Sequence, residues 1–435
     1  MPTPSLILVP ARFKTGKLYT PVATTSGGLV LGASGDFNVT RATTATRFNS
    51  AGLIESVASG VPRLDYYTSG GTAGCPALLV EPSAANGILN SENTATNWVL
   101  GANLTSGYTD VIGVSGNNLT VSVSGSGIGS SAGALRRTSN NVSLASGSTY
   151  TISFLMRQTG THTIGGYYAA ITGGAAGDLG AGFNVSGSFS SGSLFAYTGA
   201  TSRIRRVERF GADVYRCSET FTMTASGTLT TLSIGPTVSV TSDTNSASGT
   251  TMAFAAPQIE LGAVPTTFIP TTTGSVTRNA DVVTLSGAVS GCIGQTEGTI
   301  YAEVVNTLVA SYAEAYVYRV FADANNEIWA RKEGGGNTYS FRWRANSQNT
   351  TFLNVAVPNG VNKIAFGYKS GDTALFLNGS QVATTNTDVR AFSVNPTTIA
   401  LGSTSSGQFF NDRIRAVALY TTRLTNDELD TLTTL

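Results

Sequence analysis

One histidine, His162, stands in 435 residues. A Ser/His/Asp triad or a histidine-based zinc site therefore has almost nothing to draw on. The three cysteines, Cys75, Cys217 and Cys292, are odd in number and widely spaced, which gives neither a disulfide framework nor a metal-ligand pattern. Charge is scarce: 12% of residues are charged and the net charge is +1. That leaves out the clustered basic face of a nucleic-acid binder. No apolar run approaches the ~20 residues that span a bilayer, so membrane insertion is not expected. The opening Met1 to Pro4 lacks the basic-then-apolar pattern of a signal peptide, and the expectation is synthesis in a cytoplasm without export by the usual route.

What is present is glycine, threonine and serine in quantity, with 50 Gly, yet 41% of residues are hydrophobic, including 19 Phe and 16 Tyr. That is enough apolar surface to fold. β-Branched residues, aromatics and turn formers together predict an all-β protein. The length predicts two or three domains, each able to bury a core.

The stretch from Pro257 to Asp281 organises the chain. Threonine-, serine- and glycine-rich strands precede it from about Asn93, and a second strand series begins at Val282. Pro257, Pro265 and Pro270 lack a backbone donor and belong at strand ends or linkers. The reading is two jelly-roll sandwiches in tandem, 91–275 and 282–435, behind an extended β-rich arm over 1–90. The arm consists of short broken strands and reads as a docking segment. In the first sandwich, alternation turns Tyr150, Ile152, Phe154 and Met156 to one side. In the second, Lys369 to Asp372 and Asn378-Gly379 read as hairpin turns. Thr425 and Glu428 read as the capping box of a terminal helix. No internal repeat at a period of 20–50 residues is visible.

Four segments, Thr40 to Glu55, Pro62 to Asp65, Leu78 to Pro82 and Asn86 to Glu92, resemble a block found in bacteriophage virion appendage proteins of the tail-fibre and head-fibre type. In those proteins the block precedes a carbohydrate-binding-module-like jelly roll. That jelly roll closes on a motif similar to Ala256–Ala263 followed by Thr277–Asp281, and Asn97-Trp98-Val99 resembles its early Trp strand. The resemblance covers roughly residues 36–281. Residues 282–435 resemble a laminin-G or concanavalin-like jelly roll, without the usual Trp-His before the central hairpin. What the resemblance implies is a virion location, partners among other virion proteins reached through the N-terminal arm, and a homo-oligomer, most often a trimer.

Candidate chemistry follows from side-chain types. Sugar rings stack on Trp and Tyr while Asn, Asp and Arg bond their hydroxyls. Tyr339 and Trp343 share one face of a strand that also carries Phe341, with Arg342 and Arg344 on the other. Trp329, Tyr316 and Tyr318 lie near in sequence, and Tyr167 and Tyr168 form a second candidate in the first sandwich. The other use of such a stripe is to fill a core. A glycosidase needs two carboxylates across a cleft. Glu327 and Glu333, with Asp323, Glu303 and Glu314, are the acidic candidates, and surface charges guarding a sheet edge are the alternative. No cofactor is expected. A structural Ca²⁺ is the one metal the jelly rolls allow, with Asp243 and Asp323 as weak candidates beside a plain turn. The basic run Arg203 to Arg209 fits a polyanionic glycan, a neighbouring protein or a solvated strand. His162 reads as a surface residue.

These readings combine into a non-enzymatic virion structural protein that recognises a bacterial surface glycan, with several linked copies raising avidity. A purely architectural component and a polysaccharide-cleaving enzyme are the alternatives.

Overall fold

The computed structural model describes the chain except at residues 1, 21, 24–28, 31–35, 67–73, 93–97, 100–103, 110–117, 124–134, 159–162, 174–176, 186–190, 195–198, 210–213, 240–241, 246–250, 288–290, 307–313, 335–336, 390 and 406. Asn97 and His162 lie outside the described residues, as does the side chain of Asp243. The fold is all-β, and the helix Asn426–Thr433 is the only α-helix among the described residues.

Alternation builds the first sandwich. One sheet runs Leu104–Thr109, Asn118–Val123, Thr251–Leu261, Thr149–Gln158, Val214–Met223 and Ala200–Arg209 in spatial order; the other centres on Leu135–Leu144, Gly227–Ser239, Ile164–Thr172 and Leu179–Asn184. Tyr150, Ile152, Phe154 and Met156 point into the core between them. The Phe154 ring stands edge-on to Phe183, centroids 5.7 Å apart, an arrangement favoured by aromatic quadrupoles.

The second sandwich is not confined to residues 282–435. Its first sheet contains, in order, Phe13–Lys14, Lys17–Leu18, Phe37–Thr40, Val282–Ser286, Thr398–Leu401, Ala315–Asp323, Asn326–Lys332, Thr338–Ala345 and Gln348–Ala356. The facing sheet includes Gly360–Lys369, Glu297–Asn306 and Arg413–Tyr420, followed by Leu6–Leu8. Leu6 pairs with Leu419, and Leu78 of the strand Ala77–Leu79 pairs with Ile414. The extended arm expected over 1–90 is therefore corrected: most of its described strands are built into the C-terminal sandwich, while Ala45–Phe48 and Ile54–Val57 pair with each other and Ala84–Asn86 pairs with Val276–Arg278. The reason is apolar burial. Leu6, Leu8, Leu18, Phe37, Val39, Leu64 and Leu78 join one core with Trp343, Phe366 and Val417. Burying each such side chain contributes ~1.5–3 kcal/mol, which a free arm would forgo.

The turns and cap form as the sequence suggests. Asn378 and Gly379 both take positive φ, 50° and 78°, in the two-residue hairpin that joins Thr373–Leu377 to Ser380–Thr385. Thr425 Oγ1 accepts the Glu428 N–H, while the Glu428 carboxylate accepts the Thr425 N–H at 2.9 Å.

Between the sandwiches lies a buried charge network supplied by the 40–65, 78–82 and 265–281 segments. Arg41 donates to Asp281 at 2.8 Å, and Arg63 to Glu81 at 2.6 Å and also to Asp281. Arg278 pairs with Glu81 from the other side. Thr267 completes the shell of Glu81, its N–H donating at 2.8 Å and its hydroxyl at 2.7 Å. Desolvation alone would raise the Glu81 carboxyl, but Arg278 and Arg63 overcome it and hold it well below the usual carboxylate range. Beside the network, Phe48, Ile54, Leu155, Ala255, Phe268 and Val305 form an apolar cluster drawn from both sandwiches and the connector.

Candidate functional site

In an antiparallel sheet, residues directly opposite one another share a face. One row crosses the nine-stranded sheet of the second sandwich through Lys17, Asn38, Thr284, Ala400, Arg319, Trp329, Arg342 and Thr351. The next row on the same face runs Ser286, Thr398, Phe321, Glu327, Arg344 and Asn349. The period-2 alternation of each strand sends the neighbours of these residues (Ile328, Ala330, Tyr339, Phe341, Trp343) into the core. The outer face is thus a field of guanidinium, indole, hydroxyl and amide groups.

Its centre is Trp329. The Arg331 and Arg342 guanidinium carbons each lie 4.9 Å from the ring centroid, and Tyr316 meets it edge-on at 5.8 Å. These are cation–π and T-shaped contacts that fix the indole in place. Glu327 accepts Arg319 Nε at 2.8 Å through one oxygen and Arg342 through the other. Arg319 also covers the Phe321 ring at 4.3 Å. Burial, with Arg344 alongside, pulls the Arg342 guanidinium below its ordinary value. Arg331 is treated differently: burial opposes its charge, yet Glu333 and Glu314, at 2.8 Å each, hold it above its ordinary value.

The expected stacking residues divide between the two faces. Tyr339, Trp343 and Tyr318 are buried in the core, with the Trp343 ring 5.1 Å from Tyr368, so they present no ring face to a ligand. This corrects the expectation that the Tyr339–Trp343 stripe is a sugar platform. A two-sheet core needs those volumes, and the arginines take the outside. Tyr167 is also buried and donates to Glu219 at 2.8 Å; Tyr168 is half-buried and donates to Asp178 at 2.6 Å. Trp329 and Tyr316 do lie on the outer face, although both are covered rather than open.

The carboxylates are all engaged. Glu327 and Glu333 are paired as described, Glu314 serves Arg331, and Glu303 pairs with Arg415 at 3.1 Å. Asp323 closes a tight turn, accepting the Asn325 N–H at 2.7 Å and Asn326 Nδ2 at 3.1 Å. Arg203 of the basic run is tied to Glu219 and donates to the Gly180 carbonyl at 2.7 Å, so it is a structural pair rather than a free cation. Sequence reasoning passes over Arg319 and Arg331. Only the strand register, which sets Arg319 opposite Trp329, brings them into the site.

A cleft of about 760 Å³ lies elsewhere, between the hairpin Ala45–Phe48/Ile54–Val57 and the connector at Phe268 to Arg278. Thr44, Thr46, Glu55 and Glu92 line it, and it gathers no comparable set of aromatic and cationic groups.

Residues 278–430 match the family described as the Concanavalin A-like lectin/glucanases superfamily. No curated protein matches the chain. Solved structures with similarity include the receptor binding domain of botulinum neurotoxin C/D mosaic serotype, at 10% identity and a TM-score of 0.30 over 35% of this chain and 40% of that one. The CBM40 of the Ruminococcus gnavus IT-sialidase is 18% identical, with a TM-score of 0.29 over 34% of this chain and 88% of that one. Domain 4 of AbnA, a GH43 extracellular arabinanase from Geobacillus stearothermophilus solved with arabinotriose, is 15% identical, with a TM-score of 0.30 over 39% of this chain and 82% of that one. The chain spans less than half the length of the neurotoxin domain it matches.

Proposed function

We propose that this protein, whose residues 278–430 carry a concanavalin A-like sandwich, is a non-enzymatic component of a bacteriophage particle, a fibre or other appendage, that recognises a glycan on the host surface. The observation that carries the reading is the outer sheet face around Trp329: a concanavalin-like scaffold presents Arg319, Arg342 and Arg344 in register with Asn349 and Thr351. Such groups bond sugar hydroxyls and ring oxygens. The particle location rests on the resemblance of residues 36–281 to virion appendage proteins. Because most described strands of residues 1–90 belong to the C-terminal sandwich, docking to the particle is assigned to the first sandwich rather than to a free arm. Oligomerisation, with a trimer as the expected form, turns several weak sites into firm attachment.

The non-enzymatic reading is supported by the arginine pairing of Glu303, Glu314, Glu327 and Glu333. The test is incubation of the purified chain with host cells and isolated surface polysaccharide, scoring retained protein and released oligosaccharide. Retention without release supports the reading. Released oligosaccharide overturns it in favour of a polysaccharide-cleaving enzyme, and neither retention nor release overturns it in favour of an architectural part. Immunogold labelling of purified particles tests the location, and an unlabelled particle removes it.

A further inference from the structure

We propose that the outer face at Arg319, Arg342 and Arg344 takes an acidic saccharide, a sugar polymer bearing carboxylate or sulfate groups. The inference rests on the glycan reading above and narrows it to a chemical class.

Three guanidinium-bearing side chains are placed around Glu327 by the strand pairing there. Glu327 divides its two oxygens between Arg319 and Arg342. Arg344 stands opposite Glu327 in the strand pairing but makes no salt bridge within 4.0 Å among the described residues. Three donors on this face lack an acceptor: the Trp329 indole N–H and the Nε groups of Arg342 and Arg344. Trp329 is 3% exposed, so its indole N–H is withdrawn from bulk water as well. These three atoms are enclosed, so contact with a ligand falls to what the side chains leave open: Arg319 and Arg342 are 21% and 26% exposed, and Arg344 is half-buried.

The geometry selects the acceptor. A guanidinium presents a planar fork that fits two oxygens of one group, which carboxylates and sulfates offer and a single hydroxyl does not. Hydroxyl and amide groups at Thr351 and Asn349 flank the arginines along the same two rows, in place to meet the neutral part of a sugar ring. Arg331 marks the limit of the site, because Glu314 and Glu333 already neutralise it. Asp323 also acts electrostatically on Arg344, so Arg319, Arg342 and Arg344 set against Glu327 and Asp323 leave a surplus of one positive charge there.

The experiment uses the full chain and three immobilised polymers: polygalacturonate for carboxylate, dextran sulfate for sulfate, and unmodified dextran. Retention on at least one acidic polymer and not on dextran is expected, with the acidic polymer that retains the chain identifying the anion. Arg344→Gln removes a side chain that holds no ion pair, so folding should be intact by circular dichroism. It is expected to weaken retention by about tenfold, the value of one charge-assisted hydrogen bond. Arg415→Gln, on the other sheet, should leave retention unchanged. Equal retention by Arg344→Gln and the parent chain overturns the site. Preference for neutral dextran overturns the acidic class while leaving glycan recognition standing. Failure on every polymer together with failure to bind host cells overturns both.

Discussion

Arg41 and Asp281, 240 positions apart in the chain, meet at 2.8 Å in an ion pair whose side chains are at most 2% exposed. Arg63 engages the same carboxylate. Asp281 therefore neutralises two buried cations, contributed by segments that adjoin the strands Phe37–Thr40 and Leu64–Asp65 of the C-terminal sandwich. Removing one partner of a buried pair leaves an uncompensated charge, which costs ~3–5 kcal/mol. Asp281→Asn is expected to destabilise the chain on that scale. Glu55→Gln, which breaks the more exposed Arg47–Glu55 pair, should cost no more than ~1 kcal/mol. Calorimetric unfolding of both variants checks this, and equal melting shifts would show that the network does not hold the sandwiches together.

The network also dictates a response to acid. The folded-state value of Glu81 is held well below that of an unfolded glutamate. Its stabilisation is therefore complete above the unfolded value, about 4.3, and is lost as pH falls from there toward the folded value. Glu81→Gln should be less stable than the parent at pH 7, and the gap should shrink as pH drops below about 4.3. Other carboxylates, Glu260 and Glu219 among them, are common to both chains and cancel in the difference. Chemical unfolding at a series of pH values measures the gap; a gap independent of pH would mean that Glu81 is not held ionised by Arg278 and Arg63.

How much of this was legible in the sequence depends on the range of the interaction. The inward set Tyr150, Ile152, Phe154 and Met156 is visible because alternation is local. So is the separation of Tyr339 and Trp343 from Arg342 and Arg344. Alternation does not say which face is inside. Aromatics on one side and arginines on the other fit a solvent-facing platform as well as a core, and only the facing sheet, with Phe366 and Tyr368 against that stripe, decides for the core. Pairing across the length of the chain is invisible locally. Nothing in Leu6 to Leu8 announces Leu419 as a partner, so broken strands over 1–90 read as an arm.

Trp343→Ala follows from that correction. The ring fills the core between Tyr368 and Phe392, and truncating a buried aromatic costs ~3–5 kcal/mol. The expected result is a lower melting temperature for the C-terminal sandwich. Retention on a saccharide, measured well below that temperature, should stay within about twofold of the parent, since the face opposite this ring carries the proposed contacts. Undiminished stability in Trp343→Ala would place the ring at the surface and restore the stacking platform.

Lys332 provides the opposite pH signature on the alkaline side. Its side chain turns into the sandwich and donates to Asn306 Oδ1 at 2.6 Å, where burial draws the ammonium down to about 8 against the pull of Asp412. In the unfolded chain the same group titrates near 10.4. Between those values the unfolded state holds more protons than the folded one, so stability rises with pH, by up to ~1.4 kcal/mol per unit from this group. Above about 10 the buried tyrosines act in the other direction, because their folded values are raised. Lys332→Met keeps the length of the side chain and removes the proton. Asn306 Oδ1 retains a donor in Tyr339 Oη at 3.4 Å. The parent should gain stability relative to Lys332→Met from pH 8 to pH 10, as measured by denaturant unfolding at each pH. The tyrosines, present in both chains, drop out of that comparison. A flat difference would show that Lys332 keeps an ordinary proton affinity, and hence that water reaches it.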